Sequence, residues 1–400
     1  MKSSTDRILT THVGSLPRPA ELVEVLNRQL EGQDIEPARL AALSAQAVGD
    51  IVARQVDAGI DVVSDGEMAK ISYAHYVKHR LYGVGSRGEA RGDIPGAAPN
   101  RDMTDHPDFE ERQRVLPWRT IGRTGAQFNT GEALPVCTGP VSYGDRRPLE
   151  NDLANFGAAV TASQPVEAFM NAASPGVLTK FVPDAFYGDE EKYVADLADA
   201  MKEEYEAIHG AGFLLQIDCP DLASARHNQY QTLSDAAFLR IAERNVEALN
   251  HATANIPPEA MRMHICWGNY EGPHTHDVAL ATVFEVCMKA RPQALLFEGA
   301  NPRHAHEWED LRQASIPDDK ILIPGVIDST TNFVEHPRLI AQRICRYAEI
   351  VGRERVLAAT DCGFSTMAGS VLQVAPSVVW AKFAAMAEGA AIATDRLWSL

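Results

Sequence analysis

The sequence predicts an α/β protein whose single domain, residues 1–400, is a (β/α)8 barrel of the TIM type. Short apolar or β-branched runs that end in small or polar residues alternate with stretches of helical periodicity about eight times. The strand candidates are residues 7–15, 61–67, 212–220, 262–268, 294–300, 320–329 and 355–364. An open doubly wound sheet is the alternative, but that fold favours an early phosphate-binding loop, and the sequence contains no Walker motif.

The eighth strand has two candidates, residues 134–143 ("LPVCTGPVSY") and the stretch around residues 168–182 ("AFMNAASPGVLTKFV"). Both combine apolar residues with turn-forming residues, so the sequence leaves the choice open. Amphipathic helices are predicted at residues 190–212 and 336–354, where apolar residues recur at helical spacing.

Residues 83–133 interrupt the alternation and predict a long insertion after strand 2. The segment is rich in Gly, Pro and charged residues, so it does not indicate a second hydrophobic core. Long loops of this kind serve as active-site lids or as subunit contacts, and both interpretations stay open. The second would make the protein a homo-oligomer.

Composition and charge restrict the function classes. The chain has 400 residues, 45% of them hydrophobic, and a formal net charge of −17. That charge argues against nucleic acid or an anionic membrane surface as the main partner, because both need a basic face. The six cysteines are sparse, and neither a signal-peptide pattern nor an apolar run of about 18 residues occurs. We therefore expect a cytoplasmic protein with reduced thiols.

Several predicted strands end in ionisable residues, which is costly for a buried strand unless those residues are paired or bind a ligand. His264 and Cys266 lie two apart on one strand, so their side chains point to the same side. Imidazole and thiolate form a soft pair suited to zinc. Glu298 and Cys362 end later strands and could complete a tetrahedral set. An isolated H-x-C is more often a buried strand histidine, but the four residues together favour zinc.

Seven short motifs carry a resemblance to a known family. In chain order they are "TTHVGSLPRP", "SDGE", "LQID", "HICWGN", "FEGA", "GVIDSTTNFVEHP" and "ATDCGF". As a set, they resemble the catalytic C-terminal barrel of cobalamin-independent methionine synthase and its shorter single-barrel relatives, which include epoxyalkane:coenzyme M transferase. The resemblance covers most of the chain apart from residues 83–133, and the duplicated N-terminal barrel of the full-length synthase has no counterpart in these 400 residues.

The resemblance implies a zinc ion bound by His264, Cys266, Glu298 and Cys362. Such a centre, with two thiolates and one carboxylate, keeps an added thiol deprotonated and electron-rich, and the thiolate is the nucleophile. One position must be exchangeable, so Glu298 or a water would yield to the substrate sulfur. The thiolate then attacks an alkyl carbon in one displacement, for which the protein holds the reacting atoms in line.

The same resemblance implies the substrates. It indicates transfer of a methyl group from a methyltetrahydrofolate-type donor to homocysteine, giving methionine. The carboxylate of the thiol substrate would meet the backbone of Val13, Gly14 and Ser15. Glu67 and Asp218 would act in catalysis by holding the ammonium group of that substrate.

One residue departs from the family pattern. The loop after the "GVID" strand of methionine synthase carries a histidine thought to help protonate the folate leaving group, and Thr330 stands at the corresponding position. Threonine is not a general acid near neutral pH. Either another group supplies the proton, with His336, His12 and Asp328 as candidates, or the donor is not methyltetrahydrofolate.

Other interpretations concern the thiol and the reaction class. Coenzyme M carries a sulfonate and no ammonium, so a zinc-dependent, epoxide-opening enzyme would need a cation such as Arg18, Lys70, Lys180 or Arg226. The two carboxylates favour an amino-acid thiol instead. A barrel with structural zinc and no turnover is an interpretation of a different class. A metal-free decarboxylase-type barrel is disfavoured by the H-x-C and D-C-G motifs.

Overall fold

The computed structural model describes residues 1–89, 101–115, 134–370 and 372–399. Its strands are β1 (Leu9–Thr10), β2 (Val62–Val63), β3 (Leu81–Ser86), β4 (Pro135–Tyr143), β5 (Glu167–Ala173), β6 (Leu214–Asp218), β7 (Met261–His264), β8 (Ala294–Phe297), β9 (Ile321–Ile327) and β10 (Leu357–Thr360). Eight of them form one parallel sheet in the order β1-β10-β9-β8-β7-β6-β5-β2. A β-bridge from Thr11 to Val62 joins the outer strands and closes the barrel. The predicted (β/α)8 barrel is confirmed.

Helices surround this barrel. They are α1 (Ala20–Leu30), α2 (Pro37–Asp57), α3 (Arg101–Asp105), α4 (Pro107–Val115), α5 (Arg147–Ser163), α6 (Pro175–Phe181), α7 (Glu190–Gly210), α8 (Ala225–Asn228), α9 (Asp235–Ala252), α10 (Leu280–Met288), α11 (Trp308–Leu311), α12 (Pro337–Val351) and α13 (Pro376–Trp398). Side-chain caps fix where several begin; Asp189 caps α7 and Ser234 caps α9. Within the described part of the chain, no helix has both the length and the apolar character of a membrane span.

Several barrel strands contribute to two apolar clusters. Leu296 and Ile323 point into the barrel, whereas their neighbours Leu295 and Leu322 point outward and pack against the helices. Successive side chains of a strand face opposite sides, so a strand buried on both faces needs apolar residues at every position. This explains why the strands appear in the sequence as continuous apolar runs.

The eighth barrel strand is β5, the second of the two candidates. It pairs in parallel with β2 and β6, and six of its seven residues are buried. The competing segment is also a strand, β4, but it pairs with β3 in a separate antiparallel sheet and carries exposed positions. Both patterns predicted a strand correctly, and only burial on both faces distinguishes the barrel member.

The predicted insertion, residues 83–133, is described only in part, since residues 90–100 and 116–133 lie outside the described residues. Strands β3 and β4 flank it. Helix α3 lies on the loop that follows β7, where the Asp102 carboxylate accepts hydrogen bonds from the Tyr270 hydroxyl (2.8 Å) and the Thr275 N–H (3.0 Å). This part of the insertion therefore contacts the carboxyl end of the barrel. Its role as a lid or a subunit contact stays a prediction.

Candidate metal centre and substrate cavity

Three of the four predicted metal ligands meet at the carboxyl ends of β7 and β10. The ligand atoms of His264, Cys266 and Cys362 all lie within 4.8 Å of one another. His264 is the last residue of β7, Cys266 follows two residues later, and Cys362 lies two residues beyond β10. Both strands are entirely buried, so packing of the barrel fixes where these side chains emerge.

The two thiols of this group face each other. Their Sγ atoms are 3.5 Å apart, and both cysteines are free. The Gly268 N–H donates to Cys266 Sγ at 3.2 Å. The neighbouring Cys362 thiol and burial raise the pKa of Cys266 well above its ordinary value, because two adjacent thiolates repel each other. A bound cation would remove that penalty by stabilising both thiolates.

His264 supplies the clearest sign of a missing partner. The residue is 3% exposed, and neither ring nitrogen has a hydrogen-bond partner among the described residues. Burial and the nearby Arg262 guanidinium lower the pKa of His264 to about 3, so the imidazole is neutral. Buried polar groups normally have a partner, and a neutral imidazole is a common metal ligand. One nitrogen and two sulfur donors fit zinc.

Glu298, the fourth predicted ligand, lies beside this group and not within it. Its Oε1 accepts from the Trp267 N–H (2.8 Å), and its Oε2 accepts from the Asn301 amide (2.7 Å). Burial and the Cys266 thiol raise the pKa of this carboxyl well above its ordinary value. Trp267 directly follows Cys266, so the carboxylate is held close to the thiols by backbone contacts. Its role as a ligand stays a prediction.

Glu67 and Asp218 share an unfavourable electrostatic environment. Burial and the neighbouring Asp218 raise the pKa of Glu67 to about 8. Burial raises the pKa of Asp218 to about 6, although Asn171 and Gln216 donate hydrogen bonds to it at 3.0 and 2.8 Å. The Oε2 atom of Glu67 has no hydrogen-bond partner among the described residues, and Arg18 lies 3.8 Å away. A ligand cation near both carboxylates would relieve their repulsion.

The backbone of Glu67 is held in a costly conformation. Its φ of 57° lies in the left-handed region that residues other than glycine rarely adopt. Asp65 accepts the Glu67 N–H at 2.9 Å, and the Arg18 guanidinium donates to the Glu67 carbonyl at 2.8 Å. Arg18 also donates to the Ser365 carbonyl at 2.6 Å. Arg18 therefore positions Glu67 and is not available to bind a sulfonate.

The turn after β1 presents backbone N–H groups. Gly14 has a φ of 151°, and a Cβ atom there would lie 2.5 Å from the Asn171 amide, so only glycine fits. The Val13 N–H donates to the Thr360 hydroxyl at 3.2 Å. The N–H groups of Gly14 and Ser15 donate to no group in the described part of the chain. Of the three predicted carboxylate contacts, Gly14 and Ser15 are thus the available donors.

A cavity of about 720 Å³ joins these features. The residues along it that belong to the predicted site are Val13, Ser15, Glu67, Asp218, His264, Cys266 and Cys362. Lys180 and aromatic side chains such as Tyr73 and Phe181 line the same cavity. It is large enough for two small molecules, one at the carboxylates and one beyond the thiols.

Thr330 lines a second cavity, of about 360 Å³, which also reaches Glu298 and Cys362. The Thr330 hydroxyl and N–H donate to the Asp328 carboxylate at 2.9 and 3.0 Å. Thr331 donates twice to the other oxygen of Asp328, so this carboxyl acts as an acceptor and is not poised to donate a proton.

The two histidine candidates for the leaving-group proton lie elsewhere. His336 is exposed and caps α12 by accepting the Arg338 N–H. His12 is buried against Gln55, 2.7 Å from its amide oxygen, and lines neither cavity. Burial lowers the pKa of His12 to about 3. Sequence position alone did not reveal these separations.

Asp361 organises the loop that carries Glu298. Its carboxylate accepts the N–H groups of Gly299 and Ala300, both at 2.8 Å, and of Asn301 at 2.7 Å. These contacts fit both a loop cap and a support for the neighbouring metal-ligand candidates. Its place beside Cys362 in "DCG" was the available signal.

Sequence reasoning missed a buried cluster around Asp277. This carboxylate lies 2.8 to 3.1 Å from ring nitrogens of His227, His274 and His304. Hydrogen bonds to Asp277 and Glu307 outweigh burial and raise the pKa of His304 to about 10. The cluster packs beside Trp267, whose ring lies 4.2 Å from that of His304. The run "HTHD" at residues 274–277 was the available signal in the sequence.

Known proteins resemble the chain over nearly its whole length. No family model matches it. A Bacillus subtilis protein called uncharacterized protein YxjH is 25% identical over 381 residues, which covers 90% of this chain and 88% of that protein. Methionine synthase of Saccharolobus solfataricus is 23% identical over 391 residues, covering 97% of this chain and 95% of the relative.

Solved structures share the fold. A B12-independent methionine synthase from Shewanella sp. W3-18-1, in complex with selenomethionine, superposes with a TM-score of 0.71 at 19% identity, covering 98% of this chain and all of the other. A putative vitamin-B12 independent methionine synthase from Listeria monocytogenes gives 0.63, also at 19% identity, over 96% and 98% of the two chains. These relatives and this shared fold support a resemblance to the cobalamin-independent methionine synthase-like family.

Proposed function

We propose that the protein is a zinc-dependent thiol methyltransferase that moves a methyl group from a methyltetrahydrofolate-type donor to homocysteine, giving methionine. The observation that carries the proposal is the neutral, unpartnered imidazole of His264 beside two thiols in one cavity. The relatives named methionine synthase support the transfer of a methyl group to a thiol.

His264, Cys266 and Cys362 would hold the metal, with Glu298 beside them as the exchangeable ligand. Zinc in this donor set would keep an added thiol deprotonated while leaving its sulfur nucleophilic. The protein supports the centre through its own contacts. The Gly268 N–H stabilises the Cys266 sulfur, and the Asn301 amide and Trp267 N–H orient the Glu298 carboxylate.

Glu67 and Asp218 select an amino-acid thiol. Both are buried, and among the described residues no cation donates a hydrogen bond to either carboxylate; Arg18 lies 3.8 Å from Glu67, and neutral amides donate to Asp218. The ammonium group of homocysteine would supply that charge, and its carboxylate would accept from the N–H groups of Gly14 and Ser15. Binding both ends of the amino acid fixes the position of its sulfur. The entropy cost of ordering the substrate therefore falls on the binding step and not on the displacement step.

A coenzyme M-type thiol is the second candidate, and Lys180 is the observation in its favour. Three of the four cations that could meet a sulfonate are engaged elsewhere. Arg18 holds the Glu67 carbonyl, Lys70 donates to the Asn171 carbonyl, and Arg226 pairs with Asp235. Lys180 lines the main cavity and forms no hydrogen bond or ion pair with the described residues.

The test combines two thiols and two donors. Purified, zinc-loaded protein is incubated with L-homocysteine or coenzyme M, each with methyltetrahydrofolate or epoxypropane, and products are identified by mass spectrometry. We expect methionine from homocysteine and methyltetrahydrofolate, with Cys266→Ala as the inactive control. Hydroxypropyl-coenzyme M as the only product would replace the first candidate by the second. No product from any pair, with zinc bound, would favour a structural metal and contradict both.

A further inference from the structure

We propose that Lys180 is a catalytic residue that protonates the leaving group of the alkyl donor. This inference rests on the proposed function. It answers the question raised by Thr330, which cannot supply a proton. His12 and His336 line neither cavity, and both oxygens of Asp328 accept hydrogen bonds from Thr330 and Thr331.

The position of Lys180 is the first argument. It lies in the last turn of α6, the short helix that follows β5, and this connection places it at the carboxyl end of the barrel. Its side chain lines the same cavity as His264, Cys266 and Cys362. The ammonium lies 5.3 Å from the centre of the Phe181 ring and forms no hydrogen bond or ion pair with the described residues.

The second argument is the division of the cavity. In the proposed function the thiol substrate lies against Glu67 and Asp218, which leaves the rest of the cavity for the donor. In an in-line displacement the leaving group points away from the attacking sulfur. Lys180 lines the same cavity and has no part in binding the thiol, so we infer that the leaving atom faces its ammonium group.

The third argument is that other titratable groups lining the cavity are unsuitable as proton donors near pH 7, because they are either neutral bases or very weak acids. Burial lowers the pKa values of His75 and His227 to about 4, so both imidazoles are neutral near pH 7. Arg87 cannot release a proton. Burial raises the pKa of Tyr73 well above its ordinary value.

Lys180 has the required acidity. Burial lowers the pKa of Lys180 to about 8, and the Cys266 thiolate opposes that shift only partly. A general acid works best when its pKa lies near the operating pH. Glu67, whose pKa is about 8, belongs to the thiol side, where the substrate ammonium ionises it.

The step balances without a further reactant. The thiolate sulfur forms a bond to the alkyl carbon while the bond from carbon to the leaving nitrogen or oxygen breaks. The electron pair of the broken bond stays on that atom, which takes a proton from the Lys180 ammonium. The neutral amine of Lys180 then regains a proton from water. A methyl donor that leaves as iodide needs no such proton.

The test compares donors in Lys180→Met and Lys180→Arg. With the proton-requiring donor that the wild type accepts, methyltetrahydrofolate or epoxypropane, we expect kcat to fall by about 100-fold or more in Lys180→Met. Lys180→Arg keeps the charge and should remain at least about tenfold slow, because arginine does not release its proton. With methyl iodide and homocysteine, both variants should stay within about threefold of wild type. Lys192→Met, at an exposed position of α7, is the matched control.

Three results would overturn the inference. One is an equal loss of kcat with methyl iodide and with the natural-type donor. Another is a raised KM for the thiol at unchanged kcat, since Lys180 would then bind the thiol. The third comes from a measurement that does not depend on turnover. Acylation of Lys180, followed by mass spectrometry across pH, should show a midpoint near pH 8. A midpoint above about 10 would contradict the inference even if the proposed function failed with every donor.

Discussion

Two groups of buried carboxylates near the carboxyl end of the barrel differ in how well they are satisfied. In the first, the Arg80 guanidinium pairs with Asp152 and with Glu204, the latter at 2.8 Å. The hydroxyls of Tyr76 and Tyr143 donate to Glu204 at 2.7 and 3.0 Å. Although burial opposes it, these contacts lower the pKa of Glu204, whereas burial outweighs Arg80 at Asp152 and raises the pKa of that carboxyl to about 6.

The second group, Glu67 and Asp218, is just as buried, but among the described residues no cation donates a hydrogen bond to either carboxylate, and Arg18 lies 3.8 Å from Glu67. One oxygen of Glu67 is unpartnered among the described residues, and the pKa of Glu67 is raised to about 8. His264 repeats the pattern with two unpartnered nitrogens. Buried groups whose hydrogen bonds and charges are satisfied stabilise the fold. A buried group without such a partner can gain a favourable interaction when a ligand of the right charge binds.

The largest effect is expected at the thiols. Cys362→Ser or Cys266→Ala should remove zinc and lower activity by at least about 1,000-fold, because the soft donor set is lost. The barrel should stay folded, since its core does not depend on the metal. Zinc content by elemental analysis, circular dichroism and turnover are the measurements. Cys345→Ser, half-buried in α12, is the matched control. Full activity in both site variants would refute the site.

Removing a cation should damage the saturated group in a different way. Arg80→Met leaves Asp152 and Glu204 buried without their partner, and we expect the free energy of unfolding to fall by about 3–5 kcal/mol. Urea denaturation measures the change. Arg147→Met, which breaks an exposed pair with Asp145, should cost less than about 1 kcal/mol. Equal losses in the two variants would remove the distinction between structural and functional carboxylates.

Asp218→Asn tests the group formed by Glu67 and Asp218, and we expect an effect of intermediate size on substrate affinity. Loss of one charged contact to the substrate ammonium should weaken homocysteine binding by about 10- to 100-fold, while zinc content stays unchanged. Isothermal titration with homocysteine measures the affinity. Unchanged affinity would rule out the ammonium role of Asp218.

The last prediction is a pH dependence of stability that Glu67 controls. Because the pKa of Glu67 rises from 4.5 to about 8 on folding, the folded state keeps a proton that the unfolded state has released within that window. Stability should therefore fall as pH rises from about 5 to 8, and Glu67→Gln should show a shallower decline. Urea denaturation across pH measures both curves. Parallel curves would mean that Glu67 is ionised in the free protein.

Some of these features follow from the sequence. Strands buried on both faces leave continuous apolar runs, so β6 to β10 could be predicted, and barrel closure places the ends of β7 and β10 together. The H-x-C spacing then requires His264 and Cys266 to share one side. Strand β4 shows the limit, since its pattern is a strand pattern and only pairing excludes it from the barrel.

The sequence could not predict which buried polar groups lack a partner, because that depends on where the end of each side chain lies in the fold. Lys70, Arg18 and Lys180 looked alike in sequence as cations near strand ends. In the fold, two of them reach backbone carbonyls and the third reaches the cavity. The left-handed φ of Glu67 likewise depends on Asp65 and Arg18, which approach it from different segments.

X-ray absorption at the zinc edge, with and without L-homocysteine and then with coenzyme M, tests the central claim most directly. The resting protein should show two sulfur scatterers from Cys266 and Cys362 together with nitrogen or oxygen scatterers from His264 and Glu298. Homocysteine should replace one light scatterer by sulfur, and coenzyme M should not. A zinc shell that neither thiol changes would contradict the claim that the incomplete partners of this cavity await an amino-acid thiol.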